Sequence, residues 1–326
     1  VPVLPTRYAL ARCRHILLAA ALLSAGPLAG AQTPPSPDAP PRPARNWNEP
    51  IGPTVADKPS AHYRFETLRF DSEDGQRHYR VYLGVPKRAA PAGGYPVIYM
   101  LDGNAVMATL NAQDLAALDA EGPPVLVGIG YETPGRHDVV ARALDYTPPV
   151  IRDGQRVAEI EERGRRGGGA DRFQALIERQ IRPAVQARAP IDQNRQTLWG
   201  HSYGGLFTLY ALFTHPERFQ RYVAGDPSVG WQDSALLAHA AGFHASAAPG
   251  VAVRVMVGGA RRPGASGAAS IPTIPGVPAG RESTYELVQR LAGEGMDITF
   301  QNFPDLSHGA LFATSLRPAL ELAVRP

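Results

Sequence analysis

The chain has 326 residues, 44% of them apolar, with 33 lysines and arginines against 30 aspartates and glutamates. That length suffices for one large α/β domain with a full core, and no second core is evident in the pattern. The net charge of +3 resides in Arg7, Arg12 and Arg14, which precede every acidic residue; without them the two signs balance at 30 each, so the alkaline balance is no argument for a nucleic-acid partner.

Residues 1–31 read as a secretory signal. A basic stretch reaches His15, an apolar run spans Ile16 to Leu28, and Ala29-Gly30-Ala31 supplies small residues for cleavage. The apolar run is too short to span a membrane, so no stable membrane anchor is expected after cleavage. The single cysteine, Cys13, would leave with the signal, and the mature protein would hold no disulfide. Export without disulfides suits a bacterial periplasm. Residues 32–60, with Pro34, Pro35, Pro37, Pro40, Pro41 and Pro43, bury too little apolar surface to offset ordering entropy and read as a flexible leader. The catalytic domain is expected to span 61–326.

Alternating apolar residues then predict a hairpin, with Tyr63 to Phe70 and His78 to Val85 joined at Ser72-Glu73-Asp74-Gly75. Pro96 to Leu101 and Val125 to Ile129 are uninterrupted apolar runs, as expected of central strands, and a helix is expected between them over Ala105 to Leu118. The polar stretch from Gly130 to Gly169 is long for a connection and reads as a functional cap or mobile loop. Helical periodicity resumes from Ala170 to Arg188. Further strands are expected at Gln196 to Trp199, Val223-Ala224, Val251 to Val257 and Ile298 to Phe300, with a helix from Ser283 to Gly293 and another at the C-terminus. Strands alternating with helices imply a mostly parallel sheet covered on both faces.

The organising stretch is Gly200-His201-Ser202-Tyr203-Gly204, a G-x-S-x-G pattern between a β-prone run and an apolar stripe at helical spacing (Leu206, Leu209, Tyr210, Phe213). It has the form of a nucleophile elbow, where bulk at Gly200 or Gly204 is expected to clash in the turn. A serine hydroxyl needs a neighbouring imidazole to take its proton, and His308, just after the last strand, stands in the chain order that α/β hydrolases use. His201 is expected to point away from the nucleophile, with a packing or orienting role. For the oxyanion, the backbone N–H of Tyr203 is one expected donor and that of Asn104, in Asp102-Gly103-Asn104, the other.

The acid is less evident. The loop after Val251 to Val257 contains no aspartate or glutamate before Gly280. Glu282 at a helix start, Asp226 in Gly225-Asp226-Pro227-Ser228, or a Ser-His dyad without an acid all stay open; the dyad is the preferred reading. Glu282 would otherwise favour the helix N-terminus and Asp226 a turn.

Gly169 to Phe173, Gln196 to Phe219, Ala224 to Trp231 and Ser307-His308-Gly309 together resemble the esterase D-like α/β hydrolases, and within them the periplasmic esterases of trilactone siderophores such as ferric enterobactin and salmochelin. Trp199 to Leu206 and Arg142 with Asp145-Tyr146-Thr147-Pro148 are the most specific parts. The resemblance implies an α/β-hydrolase fold, Ser202 as nucleophile, His308 as base, and a dyad as an accepted arrangement. It also implies that Arg142 meets an anionic catecholate; a salt bridge to Asp145 is the structural alternative. Two departures stand out. Trp231 is alone where relatives carry paired tryptophans after a Ser-Pro-Ser, and Gly258-Gly259-Ala260-Arg261-Arg262 replaces a Gly-x-x-Glu. Trp231 and Arg261 are therefore candidate substrate contacts, the arginine suiting an anionic siderophore. The resulting expectation is a serine esterase of catecholate trilactones that uses no cofactor and no metal. The rivals are a general carboxylesterase of small acyl or feruloyl esters and a non-catalytic binding protein of the same fold.

Overall fold

Successive residues of the strand Tyr95–Leu101 face two separate cores: Val97, Tyr99 and Leu101 enter one, Ile98 and Met100 the other. An uninterrupted apolar run does this when helices cover both faces of a sheet. In the computed structural model the described residues are 49–157, 160–162, 164–260 and 282–325. The signal reading of 1–31 and Arg261 lie outside them, as does the Glu282 side chain.

The sheet has eight strands: β1 Tyr63–Asp71, β2 His78–Pro86, β3 Tyr95–Leu101, β4 Val125–Tyr131, β5 Ile191–His201, β6 Arg221–Gly225, β7 Ala252–Gly258 and β8 Asp297–Phe303. Their order is β1-β2-β4-β3-β5-β6-β7-β8. β2 runs antiparallel to β1 and β4, and every other pairing is parallel. This is the α/β-hydrolase fold, with the crossovers carried by helices.

One face packs Tyr99, Leu198 and Ala224 against Phe173, Ile177 and the apolar side of the helix Tyr203–Thr214. The other packs Met100, Trp199 and Val223 against Val106 and the C-terminal helix Leu311–Val324. The expected helix 105–118 is in fact two, α1 Gly103–Met107 and α2 Ala112–Glu121. Asn111 separates them, its side chain accepting from the N–H groups of Gln113 and Asp114 in a capping box that restarts the helix.

The 130–169 stretch is built rather than open. It holds a short helix, α3 Ala141–Asp145, and two hairpins, Val150–Arg152 with Gln155–Val157 and Ile160–Glu162 with Arg165–Gly167. Residues expected in the leader also join the body. Thr54 caps the turn Val55–Asp57, Val55 is buried, and the Ile51 N–H donates to the Pro134 carbonyl, so these residues before 60 belong to the folded body.

Candidate active site

The site gathers at the C-terminal ends of β3, β5, β6 and β8. Ser202 follows β5 directly and is the N-cap of α4, Tyr203–Thr214, with φ 61° and ψ −118°. A non-glycine residue holds that backbone only where its surroundings over-determine it. Here the Ser202 N–H donates to Gly225 O and its carbonyl accepts from the Ser228 and Leu206 N–H groups. The turn admits no bulk at Gly200, whose Cβ would lie 2.3 Å from the Gly204 carbonyl oxygen. The expectation for Gly204 is corrected: a Cβ there would meet Leu101 at an ordinary 3.4 Å, and Gly205 is the tight position, 2.9 Å from Gly225 O.

The register brings the rest to the elbow. Gly225 of β6 pairs with His201 of β5 and Met256 of β7, so the next residue, Asp226, turns in beside Ser202. Asp226 is fully buried, at φ 41°, with its N–H donating to Met256 O. Its Oδ2 lies 2.6 Å from Nδ1 of His308, which arrives on the loop after β8. That loop is tied to the end of β7, where the Gly259 and Ala260 N–H groups donate to Phe303 O and Leu306 O. A carboxylate on Nδ1 accepts its proton and leaves Nε2 with the lone pair that a general base requires. The preferred dyad reading is thus corrected in geometry: the imidazole is held by a carboxylate, and it is Asp226 from the loop after β6.

His201 is buried against the His308 ring, with centroids 4.7 Å apart, and its Nε2 donates to the His308 carbonyl at 2.8 Å. Burial and the neighbouring His308 lower its pKa to about 3, so it stays neutral and serves as a fixed donor. The polar atoms of His201, Asp226 and His308 lie within 4.8 Å of one another, a spacing that could suggest a metal. The hydrogen bonds they exchange account for that proximity without one. Ser228, to which the sequence assigns no role, places its hydroxyl 3.3 Å from the Ser202 hydroxyl.

Across the site, Asn104 sits in the first turn of α1, where a helix leaves N–H groups without internal acceptors. Its side chain is locked on β4 and the cap, accepting from Tyr131 N–H and donating towards the Tyr131, Thr133 and Gly135 carbonyls. Asp102, just before this turn, does not cap the helix. Its buried carboxylate accepts two 2.8 Å bonds from Arg142 and lies 3.3 Å from His137 Nδ1. Burial alone would raise its pKa, but Arg142 and His137 outweigh it and hold the carboxyl well below the usual range. The Arg142–Asp145 salt bridge offered by the sequence does not form. Asp145 instead takes Arg77 at 3.0 Å and the hydroxyls of Tyr79 and Tyr131.

Trp231 is also corrected. Its ring is 4% exposed, and a Cβ on Gly167 of the cap hairpin would lie 2.7 Å from it. The ring is filler between cap and sheet, supporting the loop that carries Asp226 and Ser228, rather than an open aromatic wall. The cap is fastened to the same region by Glu162, accepting from Gln232 N–H, and by His239, donating to Pro149 O.

Residues 72–256, more than half of the chain, match the family described as "Putative esterase". The chain belongs to this esterase family. The esterase is 38% identical over 273 residues to the apo-salmochelin esterase of Escherichia coli O6:H1, covering 83% of this chain and 82% of that one. It is 37% identical over 186 residues to the ferri-bacillibactin esterase BesA of Bacillus subtilis, covering 53% of this chain and 61% of the relative. Among solved structures, the enterobactin hydrolase IroE in complex with DFP superposes with a TM-score of 0.69 at 36% identity, over 82% of this chain and 98% of that one. The esterase is a carboxylic ester hydrolase by these relationships, on a serine-hydrolase scaffold.

Proposed function

We propose that this esterase opens the ester bonds of catecholate trilactone siderophores, so that bound iron is released with the fragments. The carboxylate–imidazole pair of Asp226 and His308 beside the Ser202 elbow is the observation that carries ester hydrolysis. The substrate class is supported by relatives whose names specify salmochelin, bacillibactin and enterobactin, one of them similar over 83% of the chain.

In this reading Ser202 Oγ attacks a lactone carbonyl carbon while His308 Nε2 takes the hydroxyl proton. The N–H groups of Tyr203 and Asn104 hold the oxyanion. Collapse expels the alkoxide, which receives that proton from His308, and leaves an ester on Ser202. Water, deprotonated by the same imidazole, then releases the acid. Asp226 keeps the proton on Nδ1 and stabilises the imidazolium. Iron enters only as part of the substrate.

The apolar run at 16–28 and the small residues at 29–31 support export to the periplasm. No helix among the described residues is long and apolar enough to cross a membrane. Competition between ferric enterobactin and a short-chain nitrophenyl ester tests the substrate class. Preferential opening of the siderophore is expected, and a clear preference for the small ester would leave a general carboxylesterase.

A further inference from the structure

We infer that Ser228 is a second catalytic hydroxyl, which donates to Ser202 Oγ and assists the expulsion of that oxygen when the acyl-enzyme is hydrolysed. This rests on the reading of Ser202 as nucleophile.

The contact is built by the backbone. The Ser228 N–H donates to the Ser202 carbonyl at 3.1 Å, so the two serines face each other across the elbow with their hydroxyl oxygens 3.3 Å apart. The loop that carries Ser228 is fixed at each residue. The Asp226 N–H donates to Met256 O, a Cβ on Gly205 would lie 3.1 Å from the Pro227 Cα, and the Ser228 carbonyl accepts from the Trp231 N–H. Trp231 is in turn buried against Gly167 of the cap. One rigid segment therefore presents a carboxylate to the base and, two residues later, a hydroxyl to the nucleophile.

The chemistry of the step sets the direction of this bond. A hydroxyl has one hydrogen to donate and two lone pairs. Once Ser202 gives its hydrogen to His308 Nε2, its contact with Ser228 is a hydrogen bond only with Ser228 as the donor. In the acyl-enzyme Ser202 Oγ carries no hydrogen, and the same direction holds. During deacylation water attacks the acyl carbon and passes a proton to His308 Nε2. The carbon–Oγ bond then breaks, its electron pair goes to Ser202 Oγ, and the proton returns from Nε2 to that oxygen. An ester oxygen is a weak acceptor and a departing alkoxide a strong one, so the Ser228 bond tightens as Oγ leaves. In the acylation step Oγ starts as a hydroxyl, already a good acceptor, and the bond changes less. Only an interaction that strengthens on the way to the transition state accelerates a step, so the benefit falls on deacylation. A donor already held in place needs no reorganisation at that moment.

The test uses Ser228→Ala, which removes the hydroxyl from a half-buried position, and Ser228→Thr, which restores one. Each is mixed in excess over nitrophenyl acetate. Nitrophenolate release reports acylation, and rapid-quench mass spectrometry of the chain reports decay of the acetyl group on Ser202. In Ser228→Ala acylation is expected to stay within about threefold of the parent while deacylation slows about thirtyfold, as for loss of a hydrogen bond to a charged group. Ser228→Thr should recover most of the deacylation rate. Equal slowing of both steps in Ser228→Ala would make Ser228 an aligner of the nucleophile and overturn the assignment. Deacylation at the parent rate in Ser228→Ala, or a Ser228→Thr no faster than Ser228→Ala, would overturn it too. Ser202→Ala separates the two levels. If it retains turnover the nucleophile reading itself is wrong, whereas a dead Ser202→Ala beside a Ser228→Ala that deacylates like the parent removes only the donor.

Discussion

Asp226 Oδ2 and His308 Nδ1 lie 2.6 Å apart although 82 residues separate them, and the carboxylate is fully buried while the imidazole is about one-third exposed. A buried acceptor facing a half-open ring fixes the tautomer and leaves the other ring nitrogen available to the site. Asp226→Asn presents an amide that can donate as well as accept, so the ring can flip to the unproductive tautomer. A loss of about 10³–10⁴-fold in kcat is expected, with little change in KM. Glu282→Gln should stay within about threefold of the parent, since only groups that orient the base carry losses of that size. Steady-state kinetics on a nitrophenyl ester checks both, and full activity of Asp226→Asn would return the chain to a dyad.

The glycines of the elbow should separate sharply. A methyl at Gly200 or Gly205 meets backbone carbonyl oxygens at 2.3 and 2.9 Å, which cannot move without shifting Ser202 or β6. Overpacking of this kind costs about 1–3 kcal/mol or more, so both alanine variants should unfold at lower urea and lose activity. Gly204→Ala, with its nearest neighbour at 3.4 Å, should fold and turn over ester like the parent. Urea midpoints of the three variants give the comparison.

Asp145 anchors the cap helix to the turn before β2, to β2 and to the end of β4 through Arg77, Tyr79 and Tyr131 respectively. Arg77 is 8% exposed, so Asp145→Asn strands a buried guanidinium that, among the described residues, retains only Asp74 as an ionic partner. A loss of about 3 kcal/mol in unfolding free energy is expected. Combining it with Arg77→Met should recover much of that loss, because the uncompensated charge goes too. Equal losses in the single and double variants would show that packing, not charge, dominates here.

The fold was legible because strands such as Val97 to Leu101 and Val125 to Ile129 are buried on both faces and leave no polar alternation to confuse the pattern. The elbow was legible because its glycines are close in sequence. Asp226 was harder: an aspartate before proline is an ordinary turn residue, and only the pairing of Gly225 with both His201 and Met256 carries it to His308. Asp226-Pro227-Ser228 lies where the family resemblance leads one to expect Ser-Pro-Ser, so the substitution itself was the available signal. Arg142 illustrates the same limit. Asp145 is its neighbour on one helix, yet the geometry that decides its partner is set by Asp102, 40 residues away.

His201 gives the last prediction, a dependence of stability on pH. Its pKa is lowered to about 3 in the folded protein by burial and by His308, against about 6.5 in an unfolded chain. The unfolded state therefore binds this proton first as pH falls. The contribution is complete above pH 6.5, declines below it, and is exhausted near pH 3. By pH 5 the loss amounts to about 2 kcal/mol. His201→Gln keeps an amide donor that can reach the His308 carbonyl but has nothing to titrate. The variant should therefore lose less stability than the parent between pH 7.5 and 5, measured as the shift in urea midpoint. An identical shift in both proteins would place the acid sensitivity in other groups and remove His201 as its source.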